Sequence, residues 1–212
     1  MKKYLFLLIF LLVTSLNAQF IRGYGLKAGF TSSNLKWDYN TGGQQWMIEP
    51  DNRNGVNLGL FVEFLDLPVF STLAEVNYVQ KGINQNVPFT SPTNPDGGEE
   101  SLNWQINLDY LNLSFLAKGR ISIGQFTPYL LAGPSYDIEI NRSVENDDID
   151  NYKDYKKHRM GLKLGAGTEF KLETVTLLAE FVYQADPDNL FNNQLLIVTT
   201  SSFDLRIGVF FQ

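Results

Sequence analysis

The chain has 212 residues, 17 of them basic and 23 acidic, for a formal net charge of −6, and it contains no cysteine. The acidic balance argues against nucleic acid as a partner, because phosphate binding needs clustered positive charge. Without cysteine there is no disulfide framework, no thiolate metal site and no lipobox-type lipid anchor.

The first element is a targeting segment. Lys2 and Lys3 form a basic start, Tyr4 to Val13 is an unbroken apolar run, and Asn17-Ala18 before Gln19 offers a small-residue cleavage site. Residues 1–18 are therefore expected to be a cleaved signal peptide. The alternative, a membrane anchor, would need an apolar run of about 18 residues or more. Cleavage removes Lys2 and Lys3 and leaves 15 basic against 23 acidic residues, a net charge of −8. Residues 19–212 then form one exported domain.

From Gln19 onward the apolar residues recur with period two, the signature of strands whose two faces meet different surroundings. Eight segments follow this pattern. The first, Tyr24 to Thr31, sets Tyr24, Leu26, Ala28 and Phe30 against Gly25, Lys27 and Gly29. The second, Val56 to Phe64, sets Leu58, Leu60 and Val62 against Asn57, Gly59 and Glu63. The third, Ser71 to Lys81, opposes Ala74, Val76 and Tyr78 to Glu75, Asn77 and Lys81. The fourth, Leu108 to Arg120, opposes Leu111, Leu113, Phe115 and Ala117 to Tyr110, Asn112, Ser114, Lys118 and Arg120.

The second half repeats the pattern. Leu130, Ala132, Tyr136, Ile138 and Ile140 oppose Gly133, Ser135, Asp137 and Glu139. Met160, Leu162, Leu164, Ala166 and Phe170 oppose Gly161, Lys163, Gly165, Gly167 and Glu169. Val175, Leu177, Ala179, Phe181 and Tyr183 oppose Thr176, Glu180 and Gln184. In the last segment Phe203, Leu205, Ile207, Val209 and Phe211 oppose Asp204, Arg206 and Gly208. Phe61, Leu131 and Val182 fall on the polar parity and must fill the interior or break register. Pro128 and Pro134 remove ladder donors, so a bulge or bend is expected in the fifth segment.

The connections alternate long and short. Lys36 to Asn54, Gly82 to Asn107, Arg142 to Lys157 and Ala185 to Val198 are long, whereas Asp66 to Phe70, Ile121 to Gln125 and Lys171 to Thr174 are short. Outer-membrane barrels have an even strand number, short periplasmic turns and longer extracellular loops. The fold expected is therefore all-β: an eight-stranded antiparallel up-and-down transmembrane β-barrel in the outer membrane, with both ends of the domain on the periplasmic side. A soluble lipocalin-like barrel also has eight strands, but it points its apolar parity inward, and its loops do not alternate in this way.

On the barrel reading, the polar parity lines the lumen. Lys27, Lys81, Lys118, Arg120, Lys163 and Arg206 stand against Glu63, Glu75, Asp137, Glu139, Glu169, Glu180 and Asp204. Such a nearly balanced set suits a narrow interior in which long side chains cross and pair. Tyr24, Trp37, Tyr78, Trp104, Phe126, Tyr183 and Phe211 are expected to form aromatic girdles at the two membrane interfaces.

Three stretches also carry a family resemblance. "YGLKAGFTSSNL", "LDYLNLSFLAKGRI" and "FTPYLLAGPSYDIEI" resemble the PorT-like outer-membrane β-barrel family of Bacteroidota, barrels of the eight-stranded OmpA/OmpX type. The matching positions are Gly25, Lys27 and Gly29, then Tyr110, Leu111 and Lys118, then Pro128, Tyr129 and Gly133. The resemblance implies an eight-stranded outer-membrane barrel and no single activity, since the founding member serves protein secretion.

Little in the sequence points to catalysis. His158, the one histidine, shares parity with Met160 and so faces outward, while Ser114 and Ser135 face the lumen without it. Asp148, Asp150 and Asp154 lie close together but lack the turn glycine and terminal glutamate of a calcium loop. No metal or other cofactor is expected. An eight-stranded barrel has an interior that side chains just fill, so an open channel is not expected either. What remains is a non-enzymatic, monomeric barrel surrounded by outer-membrane lipid. It would act through its outer loops, with Trp37, Trp46, Tyr152 and Tyr155 as anchors, or through envelope or secretion-system proteins. A narrow pore for small solutes is the alternative reading, and a lipid-modifying enzyme using His158 a third.

Overall fold

Every segment with an apolar parity becomes a strand in the computed structural model, which describes residues 21–41, 44–48, 50–88, 101–145, 155–191 and 196–212. Residues 1–18, Asp148, Asp150, Tyr152 and Asp154 lie outside the described residues, as do the side chains of Trp46 and Trp104. Among the described residues nine strands follow in order: β1 (Ile21–Thr41), β2 (Gln44–Ile48), β3 (Arg53–Phe64), β4 (Phe70–Pro88), β5 (Ser101–Arg120), β6 (Phe126–Glu145), β7 (His158–Lys171), β8 (Thr176–Asp186) and β9 (Leu196–Phe211). All neighbouring strands are antiparallel, and β1 pairs with β9 to close the ring.

Eight of the nine strands make the barrel wall. β2 is a short hairpin extension that pairs with the far end of β1, from Trp37↔Ile48 to Thr41↔Gln44. The segment expected as a loop from Lys36 to Asn54 is thus partly strand. The cause is simple: β1, β4, β5 and β6 continue their pairing well past the membrane-facing residues on the long-loop side.

The register fixes the shape of the barrel. Gly25 pairs with Phe61, Phe61 with Glu75, Glu75 with Ser114, Ser114 with Ser135 and Ser135 with Gly161. Leu162↔Ala185 sets Gly161 level with Asp186, which pairs with Thr200, and Thr200 pairs with Leu35. One circuit therefore climbs ten residues, from Gly25 to Leu35. With eight strands, that shear corresponds to a tilt of about 40° and a backbone radius of about 8 Å. So narrow a barrel leaves room for side chains alone.

The two parities meet the two environments. Leu26, Phe30, Leu58, Leu60, Leu130, Leu162, Leu164, Leu205 and Ile207 are exposed on the outer face. Between Phe203 and Phe211 the outward row of β9 rises roughly 20 Å at this tilt, which with side chains matches an apolar band of about 25 Å. Among the described residues no helix is long and apolar enough to cross a membrane; in an outer-membrane barrel the strands cross instead.

Two irregularities matter. A register shift between Ile21 and Gly23 makes Arg22 an extra residue, and a second shift lies between Asp109 and Tyr110, opposite Ile140. The fifth expected segment does bulge, but at Ile140 and not at Pro128 or Pro134. Both prolines keep a continuous register with β7, as Pro128↔Thr168 and Pro134↔Leu162. The β5 ladder loses only the pairs between Ser114↔Ser135 and Ala117↔Ala132, on one unshifted register. A missing donor there costs one rung of pairing and does not require an extra residue.

Candidate functional site

The lumen is where the sequence concentrates its unusual residues, and it is filled in layers. Nearest the short turns, Glu63 is the hub. It receives Arg22 at 2.5 Å, Arg120 at 2.9 Å, Lys118 at 3.0 Å and the Ser71 hydroxyl at 2.5 Å. Glu169 takes a forked pair of bonds from Arg22, 2.9 and 3.0 Å, and a further bond from Lys118. Arg120 also reaches Asp66 and the Leu67 carbonyl of the β3–β4 turn.

The middle layer is a closed four-membered ring of charge. Lys27 donates to Glu75 at 2.6 Å and to Glu180 at 2.7 Å, and Arg206 donates to the same two carboxylates at 3.1 and 2.6 Å. Tyr129 adds a hydroxyl bond to Glu180 at 2.7 Å, and the Lys27 ammonium lies 4.4 Å from the Phe61 ring centroid. All four charged groups are buried, with Arg206 fully so. Two cations against two anions satisfy the condition under which buried charge breaks even.

Above it, Lys81 joins Asp137 at 2.7 Å and Asp186 at 2.9 Å. Asn112 ties this layer together: its oxygen accepts from Lys163 at 2.6 Å and Ser114 at 2.8 Å, and its nitrogen donates to Asp137 and Gln184. Asp204 accepts from Thr31 at 2.6 Å and Asn57 at 3.1 Å. Arg159 donates to Thr200 and to the Tyr110 hydroxyl. Glu139 stands at the upper edge of this layer, beside Arg142, and accepts from the Tyr155 hydroxyl. Burial, with Tyr110 and Glu139 alongside, pushes the Tyr155 phenol up, so it stays a donor.

An apolar cap closes the loop end. Leu35, Trp37, Ile83, Ile106, Leu108, Leu196 and Val198 from the walls enclose Leu190 and Phe191 from the β8–β9 connection. Backbone bonds from Lys156 to the Leu190 carbonyl and from Leu190 to the Val198 carbonyl hold that connection in place. Phe61, Leu131 and Val182, the apolar residues on the polar parity, pack inside the lower lumen with Tyr129 and Phe210. Glycine makes room for them: a Cβ on Gly25 would lie 2.4 Å from the Phe61 ring.

The structure places the expected lumen charges from Lys27 to Arg206 inside the barrel, and it adds Arg22, Arg159 and Asp186 to the network. Arg159 and Asp186 continue the inward parity just beyond the segments counted from sequence. Arg22 carries the wrong parity for the lumen and reaches it through its bulge. No sequence signal marked that bulge.

The aromatic residues separate differently from the expectation. Tyr24 and Phe211 meet on the outer face with ring centroids 5.7 Å apart, Phe126 meets Phe170 at 4.9 Å, and Tyr183 meets Phe203 at 4.8 Å. Tyr78 lies on the outer parity as well, bonded to Gln80. Trp37 corrects the girdle assignment: it is 1% exposed and belongs to the inner cap. β1 continues to Thr41, so the alternation runs on from Leu35 and turns Trp37 inward.

His158 stacks on Tyr136 outside the barrel, whereas Ser114 and Ser135 are buried within. The wall separates the only histidine from both hydroxyls, so they form no nucleophile and base pair. Among the described residues no group of three or more His, Asp or Glu is placed to hold a metal.

A closed antiparallel ring of eight strands with an apolar exterior and a charged, filled interior defines an outer-membrane barrel. Residues 17–185 match the family described as outer membrane protein beta-barrel domain, and the chain belongs to that family. It is an outer-membrane protein. Among solved structures it is similar to the outer membrane protein OprG from Pseudomonas aeruginosa, at 12% identity and a TM-score of 0.55 over 91% of this chain and 98% of that one. Neisserial surface protein A is similar at 14% identity and a TM-score of 0.51, over 90% and 97% of the two chains. At these identities the likeness concerns the fold. No protein of curated function matches the chain.

Proposed function

We propose that this barrel is a plugged, non-enzymatic scaffold that presents its outer loops to partners, as an accessory of a surface-assembly or secretion system. One observation carries the reading: three ionic layers and an apolar cap occupy the interior from the turn-side hub at Glu63 to Leu190 and Phe191 at the loop end. Ion passage would require breaking the Lys27–Glu75–Arg206–Glu180 ring, whose members are all buried. The loop-side strand extensions support presentation, since β4 and β5 stay paired out to Pro88↔Ser101, far above the outer apolar band. The PorT-like motifs around Gly25, Lys118 and Pro128 support the secretion context.

Planar-bilayer recording tests the plug. The purified full chain is expected to give no stable conductance steps, and Glu180→Gln is expected to leave the trace silent. Reproducible unitary currents from the unaltered protein would replace the scaffold with a narrow pore. Affinity purification from native outer membrane in mild detergent tests the partner: stoichiometric envelope proteins are expected, and a barrel recovered alone overturns the accessory role.

A further inference from the structure

The turn-side mouth holds a second feature, which the plugged lumen does not require. A cavity of about 430 Å³ opens there, lined by Arg22, Asp66, Arg120, Ser122 and Lys171. We propose that it is a phosphate-binding site whose ligand is the headgroup of an anionic phospholipid in the adjoining leaflet.

Cationic groups converge on this cavity. Arg22 and Arg120 bring two guanidiniums to its floor, each held from within by Glu63 or Glu169 and each turning a further donor, Arg22 Nε and Arg120 Nη2, toward Asp66. Lys171 stands at its edge, exposed, and forms no ion pair among the described residues. Among the lining residues the acidic side chain is Asp66, which is 51% exposed and touches both arginines from the open side, at 3.3 Å from Arg22 Nε and in direct contact with Arg120, while Glu63 and Glu169 hold the same guanidiniums from within the barrel. Asp66 therefore occupies the position an external phosphate would take.

The turn that carries Asp66 is strained. Leu65, the residue before it, has φ of 56°, a conformation that costs a bulky side chain energy and persists only where its surroundings enforce it. Arg120 enforces it, binding Asp66 and the Leu67 carbonyl together. A phosphate that replaced Asp66 on the arginines would let the turn relax.

The setting selects a lipid as the source of phosphate. Outside the mouth, Phe126 and Phe170 form the turn-side aromatic pair of the outer face, the level at which headgroups lie. The rim itself is apolar and exposed, with Leu67 at 53%, Val69 at 65% and Ile123 at 64%. A free anion gains nothing from such a rim, whereas a lipid can cover it with its glycerol and upper acyl carbons.

The test uses the full chain in phosphatidylcholine nanodiscs doped with phosphatidylglycerol, with retained lipid read by native mass spectrometry and folding checked by heat-modifiable gel mobility. Phosphatidylglycerol is expected to stay bound in preference to phosphatidylcholine. Lys171→Gln should weaken retention by about tenfold, the effect of one charge-assisted bond. Asp66→Asn should strengthen it, because it releases Arg22 Nε and one Arg120 Nη2 donor toward the cavity while Glu63 and Glu169 keep the other donors. Inorganic phosphate should compete with the lipid. Equal retention of the two lipids, or retention indifferent to both variants, would overturn the site. Binding of inorganic phosphate without phosphatidylglycerol would overturn the lipid as its ligand. Both results stand apart from the conductance and partner tests of the scaffold.

Discussion

Replacing Arg206 with methionine tests whether the middle ring is a single balanced unit. Arg206 is fully buried and makes two ion pairs, 3.1 Å to Glu75 and 2.6 Å to Glu180, while Lys27 holds the same two carboxylates from the other side. Arg206→Met leaves two buried carboxylates facing one ammonium. Two lost charge-assisted bonds at about 1.5–3 kcal/mol each, and the cost of breaking a buried pair from one side, agree on a loss of about 3–5 kcal/mol. Adding Glu180→Gln restores one cation to one anion, so the double variant is expected to recover roughly half of that loss. The assay is urea unfolding in phospholipid vesicles, with the folded fraction read from the unboiled gel band. A single variant within about 1 kcal/mol of the parent, or a double variant whose losses simply add, would refute the ring as a coupled network.

Other expectations test the faces of the wall. Leu164→Arg, on the outer face near mid-barrel, should cost about 2–4 kcal/mol in vesicles, the penalty of a cation at the bilayer midplane. A negligible cost would mean that this face does not meet lipid. Trp37→Ala should cost about 3–5 kcal/mol by emptying the apolar cap, where Trp37 packs 6.1 Å from Phe191 between ring centroids. If the loss stays below about 1 kcal/mol, Trp37 lies in the interface and not in the cap.

Most of the architecture is legible in the sequence because a barrel wall imposes period two on every strand. Leu111, Leu113 and Phe115 against Asn112 and Ser114 reveal two faces, and the alternation of long and short connections reveals which medium each face meets. The charges from Lys27 to Arg206 were readable as lumen residues for the same reason, since charge on the lipid face is too costly to recur on eight strands.

Tertiary structure decided what depends on where a strand stops and which strand lies across the lumen. Trp37, Arg159 and Asp186 point inward because β1, β7 and β8 run further than their apolar stretches, and pairing with a neighbour extends a strand where local composition gives no sign of it. Arg22 enters the hub only through a bulge, a one-residue slip that reverses its side. The partners themselves, Lys27 with Glu75 and Glu180, or Lys81 with Asp137 and Asp186, follow from a shear of ten residues per circuit. Shear belongs to the closed ring and to no single strand, so within the alternating stretches the sequence determined which side chains face inward, and the extent and closure of the strands determined the rest and whom they meet.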